Sequence, residues 1–347
     1  PNPWALVLYL AVLSAAALTL ARLRQWTWLV AANIIGVFIW GVLLSFENVV
    51  DLSDLWASAT FTHIILQTLL IAVLLVFIPY LNQSDEEAET DWVALGALAA
   101  LSVLFVFIHQ VISFQYVHWL TAALVMITLL AATGYFNAVT AAATILSGTL
   151  IITTLYIWSN RFGGLAPPLP PTLFGRNPEN VSAFLNFAAV TSLGLTAVTA
   201  YRLYRGSLLA FTPSLSYVIA MTAPILLTLT LSYLRVTHFD YSISFGFAGV
   251  LLAGLFAILA DRFDKRGAAA QNRVGHMVAS VAAVATVAAL SIALVTCLGR
   301  GYLTVAFALT ALATAVVAIK RDFPILRYVL IPIGLVILGR LIWDPRI

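Results

Sequence analysis

Long apolar runs broken by brief polar or charged turns recur along the whole chain. A helix rises about 1.5 Å per residue and a bilayer core is about 30 Å thick, so about 20 consecutive apolar residues make one crossing. On that scale twelve runs qualify, at approximately 4–21, 26–46, 56–81, 92–113, 119–134, 138–158, 181–201, 211–234, 243–260, 274–297, 302–319 and 325–342. The fifth and sixth are the least separated, with only Tyr135, Phe136 and Asn137 between them. The runs are continuous rather than alternating, which argues against barrel strands, and helices satisfy their own backbone groups in lipid. Trp4, Trp26, Trp56, Trp92, Trp119 and Trp158 stand at run ends, where an indole suits the headgroup zone. The expected fold is all-α, a polytopic transmembrane helical bundle of about twelve spans.

Composition agrees. Of 347 residues 62% are hydrophobic and 9% charged, too little polar surface to clothe an aqueous domain of this size. The net charge of +3 comes from scattered cations rather than one basic face, so no nucleic-acid partner is expected. Cys297 is the only cysteine, which excludes an internal disulfide and a thiolate metal site.

The cations set an orientation. With twelve crossings, one side holds Arg22, Arg24, Arg202, Arg205, Arg262, Lys265, Arg266, Arg273, Lys320, Arg321 and Arg327, and the other Arg161, Arg176, Arg235, Arg300, Arg340 and Arg346, eleven against six. Lys and Arg are retained in the cytoplasm, so both ends of this chain are expected on the periplasmic side. The segment 82–91 carries five carboxylates and no cation, and reads as a solvated acidic turn. Pro167, Pro168, Pro170 and Pro171 make 159–180 an extended outward loop, a stiff crossover between six-span halves at 1–158 and 181–347. The stretches LTLARLRQWTWLV, VTAYRLYRGSLLA and VVAIKRDFPILRYVL share a small-residue run, a basic turn and a resumed apolar run, a pattern that resembles a repeated helical hairpin.

Candidate chemistry is sparse. No Asp, Glu or Lys falls mid-span, which lowers the odds of ion-coupled transport. Candidate polar groups gather on the proposed outer side: Glu47, Asp51, Asp54, His63, His109 and His118, with His238 and Asp240 in the segment RVTHFDYS. His63 and Gln67 lie one helical turn apart and share a face. A carboxylate beside an imidazole can orient it as a base, although a histidine near a helix end more simply hydrogen-bonds a neighbouring helix. No H-x-x-x-H, H-E-x-x-H, phosphate-binding loop or G-x-S-x-G elbow is present, so no metal or cofactor is expected. Asn33 and Asn186 read as interhelical hydrogen-bonders, and Pro224 and Pro332 as helix kinks. The leading functional reading is a non-enzymatic protein, transporter-like or handling lipid and envelope material. Two alternatives stand beside it: an outer-leaflet enzyme acting on a lipid-linked glycan or acyl donor through Glu47, Asp51, Asp54, His63, His109, His238 and Asp240, and a structural subunit of a larger membrane complex. Expected partners are membrane lipids, a lipid-linked or envelope substrate, and other membrane segments or subunits.

The two ends, PNPWALVLYLAVLSAAALTLARLRQWTWL and LRYVLIPIGLVILGRLIWDPRI, resemble a family of very long predicted bacterial multi-spanning membrane proteins that carries only a domain-of-unknown-function label. The resemblance implies a central portion of a longer chain in the inner membrane of a Gram-negative bacterium. It brings no established activity and no catalytic residues.

Overall fold

The computed structural model describes residues 2–51, 54–78, 89–111, 116–158, 178, 180–205, 210–238, 240–270 and 273–298, and beyond these the isolated positions 308, 310–312, 314–315, 328, 331, 334–335 and 338. Among these residues the regular structure is helical. The order is α1 (Pro3–Arg24), α2 (Thr27–Asp51), α3 (Asp54–Ile71), α4 (Trp92–Val111), α5 (Tyr116–Phe136), α6 (Ala143–Ile157), α7 (Val181–Arg205), α8 (Phe211–Thr237), α9 (Ile243–Ala270) and α10 (Arg273–Cys297). These ten follow the first ten apolar runs. Apart from those isolated positions, the eleventh and twelfth runs lie outside the described residues, as do the Pro-rich segment up to residue 177 and most of the acidic turn.

Nine helices among the described residues are long and apolar enough to cross a membrane. Their outer surfaces agree with a lipid solvent, because Leu8, Tyr9, Val12 and Leu13 on α1 and Phe247, Leu251 and Ile258 on α9 stand exposed while Ser14, Thr60 and Thr144 are buried. The protein is therefore a polytopic helical membrane protein. The exception in length is α6, whose 15 residues reach about 22 Å. A 3-10 turn, Ala138–Thr140, precedes it and is capped by Asn137, whose Oδ1 accepts the Val139 N–H at 3.0 Å.

Helix ends follow local chemistry. Asn2 Oδ1 accepts the Trp4 N–H at 3.0 Å and Pro3 occupies the first turn, where its missing donor costs nothing. Gln25 ends α1 in the left-handed conformation at φ 56°, and the Trp26 N–H returns to the Ala21 carbonyl at 2.8 Å, closing a Schellman turn. Asp91 Oδ1 accepts the Val93 and Ala94 N–H groups at 3.0 Å and starts α4. At the other end of the chain, α9 continues to Ala270, past the end at 260 expected from hydropathy, because Arg262 to Ala270 are mostly good helix formers. Arg262, Lys265 and Arg266 thus lie in the last turns of α9, where Lys265 pairs with Asp261 at 2.6 Å.

Contacts divide the chain into two compact units, Pro1–Pro170 with Ser182–Met221, and Pro171–Val181 with Thr222–Ile347. In the first unit α3 is the hub, packing on α1, α2, α4 and α5. It is also the most enclosed of the spans among the described residues. Val7, Leu44 and Ala59 join α1, α2 and α3 in one apolar cluster, and Phe61 meets Phe105 of α4 edge-on at 5.5 Å. Interhelical hydrogen bonds to backbone carbonyls add specificity: Ser147 Oγ to Ile127 at 2.9 Å, Thr196 Oγ1 to Met221 at 3.0 Å, and Tyr217 Oη to Gly134 at 2.5 Å. Glycine is required at 134, since a Cβ there would sit 2.7 Å from Thr144 Cγ2 and 3.0 Å from its backbone nitrogen.

The second unit is built on the α9–α10 hairpin. A Cβ at Gly249 would meet Ala293 Cβ at 2.9 Å and the Ala289 carbonyl at 3.1 Å, so the two backbones run nearly in contact. Ile225 from α8 packs with Leu252, Ala253, Phe256, Ala285 and Ala289 over this seam.

Candidate functional site

Hydroxyls inside the helices mostly bond back to the carbonyl one turn earlier, as Thr60 does to Trp56 and Thr68 to Ile64, each at 2.8 Å. Such groups are satisfied without a partner helix. Polar atoms that lack this outlet therefore stand out.

Three residues of the first unit form the clearest case. His63 and Gln67 are both fully buried, at 0% exposure, near the middle of the Leu55–Phe77 span. His63 Nε2 lies 3.4 Å from the Val37 carbonyl of α2, while His63 Nδ1 and both polar atoms of the Gln67 amide have no hydrogen-bond partner. Because α2 and α3 are antiparallel neighbours, one turn forward on α3 from His63 matches one turn back on α2 from Val37. That step leads to Gln67 on one helix and Asn33 on the other. Asn33 Nδ2 is likewise buried and unpartnered. Asn33, His63 and Gln67 thus set hydrogen-bonding groups on two successive turns of the α2–α3 seam, and each such atom left unsatisfied in hydrocarbon costs on the order of 1–3 kcal/mol. Five residues beyond Gln67, the same helix loosens into a π-helical segment, Ala72–Phe77, a form that concentrates at functional sites.

The other sequence-derived candidates occupy different surroundings. The His109 ring is buried and stacks on Trp119 of α5 with centroids 4.4 Å apart; Trp119 meets Trp158 at 5.1 Å, and Trp158 meets Phe184 of α7 at 5.3 Å. His109 therefore belongs to an aromatic row tying α4, α5, α6 and α7 together. His238 and Asp240 belong to the second unit and are exposed, with His238 in the left-handed conformation at φ 51° just past the end of α8. Arg235, which the apolar run ending at 234 leaves just outside its span, is inside α8 and 1% exposed, because the helix runs on to Thr237. The backbone places Glu47 and Asp51 in the last turns of α2 and Asp54 at the start of α3, but their side chains, like that of His118, lie outside the described residues. Among the described residues no group of three or more His, Cys, Asp or Glu is arranged to hold a metal ion.

A second feature has no counterpart in the sequence reading. A cavity of about 670 Å³ opens where α1 ends, α2 begins and α4 begins, lined among others by Arg22, Gln25, Trp26, Glu89, Asp91 and Trp92. Its rim is anchored, since the Asp91 N–H bonds the Val139 carbonyl at 3.3 Å while its side chain caps α4. Residues some 65 positions apart meet here, and no local motif announces them. In the second unit, the Thr228 and Ser232 hydroxyls, one turn apart on α8 beyond Pro224, are also buried without a partner. Set against known proteins, the chain matches no family model, no curated protein and no solved structure.

Proposed function

We propose that this chain is a non-enzymatic, transporter-like membrane protein that passes or presents a polar part of a lipid or of envelope material within the bilayer. The observation that carries the reading is the polar set of His63 and Gln67, fully buried near the middle of α3, with the enclosed and unpartnered Nδ2 of the half-buried Asn33 on α2. Substrate sites of membrane carriers lie near the bilayer midplane, where helices are interrupted and polar groups face inward. The π-helical stretch after Gln67 is a local irregularity in the last turns of the same span. A set of amide and imidazole groups can take over hydrogen bonds from water for a polar headgroup or neutral solute without holding a fixed charge in hydrocarbon. Chemistry of that kind suits passage better than bond breaking, which asks for a nucleophile or a paired acid and base.

Native mass spectrometry of the protein extracted from membranes in mild detergent tests this reading. The wild type is expected to retain one more lipid or glycolipid than the Gln67→Leu and Asn33→Leu variants, each of which keeps the wild-type helix content by circular dichroism. Equal retention by all three proteins, or none by any, overturns it.

A further inference from the structure

We propose that the cavity between the α1–α2 turn and the start of α4 binds the headgroup of a zwitterionic phospholipid with a primary amine. The site is separate from the mid-span set and does not depend on the function proposed for it. Its volume of about 670 Å³ falls within the range of small-ligand sites, about 300–1,000 Å³. Its depth suits a headgroup, because three helix ends meet there and Trp26 and Trp92, both exposed, mark the level where indoles settle at the edge of the hydrocarbon.

The charges select the ligand. Arg22 supplies a guanidinium that meets a phosphate with paired N–H donors, and Arg is the side chain best matched to that geometry. Glu89, on the exposed rim, supplies a carboxylate that accepts hydrogen bonds from an ammonium; Asp91 adds negative potential while its Oδ1 remains committed to the α4 cap. Among the described lining residues, two carboxylates stand beside one guanidinium and repel a headgroup that carries only negative charge. A quaternary ammonium has no N–H to donate, so it gains the attraction of the charge and the indole faces but not the hydrogen bonds. The apolar floor, represented by Leu75, meets the glycerol and upper acyl carbons. A phosphate and an amine on one short linker therefore satisfy both signs of charge at once.

The test is a lipid titration of the purified chain in detergent, read by native mass spectrometry, with phosphatidylethanolamine, phosphatidylcholine and phosphatidylglycerol as separate probes. Phosphatidylethanolamine is expected to bind about tenfold more tightly than either of the others. Glu89→Gln should remove the preference over phosphatidylcholine, and Arg22→Gln should weaken both zwitterionic lipids about tenfold. Soluble phosphoethanolamine should compete only at concentrations far above those of the lipid, because it lacks the acyl contacts; competition at equal concentration would identify a soluble phosphate ester as the ligand and overturn the lipid assignment. Equal affinity for all three lipids, tighter binding of phosphatidylglycerol, or an unchanged preference in Glu89→Gln would also overturn it. Both substitutions lie on exposed side chains, and Trp92→Leu, expected to weaken binding of the two zwitterionic lipids together, provides a third variant should either fail to fold.

Discussion

The α2–α3 seam of the first unit and the α9–α10 seam of the second solve the same packing problem in opposite ways. Apolar side chains gain little by leaving lipid for a helix interface, so close contact or hydrogen bonding must hold two membrane helices together. At α9–α10 the answer is closeness: Gly249 faces Ala289 and Ala293 with no room for another carbon, and the adjoining core is Leu, Ala and Phe. At α2–α3 the seam instead holds His63, Gln67 and Asn33, whose hydrogen-bonding capacity is mostly unused within the chain. The α9–α10 seam is finished by the fold alone. The α2–α3 seam has capacity left over for something that is not part of it.

Substitutions that enlarge or simplify each seam should therefore act in opposite directions. The largest effect is expected from Gly249→Val, which forces the α9 and α10 backbones apart and should cost about 3 kcal/mol, visible as a large fall in melting temperature in detergent. Tyr217→Phe comes next. It deletes the 2.5 Å bond to the Gly134 carbonyl and should lower stability by about 1 kcal/mol in the same assay, with the helix content by circular dichroism unchanged. Gln67→Leu should go the other way, leaving stability unchanged or raising it by up to about 1 kcal/mol, because it removes two buried polar atoms without a partner. A clear loss of stability in that variant would mean that Gln67 is satisfied inside the fold, and the contrast between the seams would fail. The smallest effect belongs to Gln25→Gly, which relieves a left-handed residue at the end of α1 and should add about 0.5 kcal/mol.

Most of the helical layout was legible in the sequence, because a bilayer imposes length and hydropathy on each crossing, and the apolar runs 4–21 through 274–297 reappear as α1 to α10. Boundaries shifted where hydropathy and helix propensity part company. The Arg- and Lys-rich stretch after Ala260 is polar yet strongly helical, so α9 outlasts its apolar run. The π-helical stretch AVLLVF had no signal at all, being apolar throughout. Of the site, the His63–Gln67 pair was readable from i, i+4 spacing, whereas Asn33 joins it only once the antiparallel register of α2 and α3 is known. The cavity at Arg22 and Glu89 depends on which distant helix ends meet. Periodicity within one helix carries no such information.

The short α6 has a consequence for how cations are shared between the two faces of the membrane. If its 15 residues turned back instead of emerging on the far side, every later connection would change face. Arg161, Arg176, Arg235, Arg300, Arg340 and Arg346 would then join Arg22 and Arg24, and a partition of eleven to six would become eight to nine. A chain so divided would give the insertion machinery almost no instruction about which way to face. The buried 3-10 turn ahead of α6 lengthens that apolar segment by three residues, so the stretch around Thr140 bears directly on whether the arginines further along the chain carry a directional message.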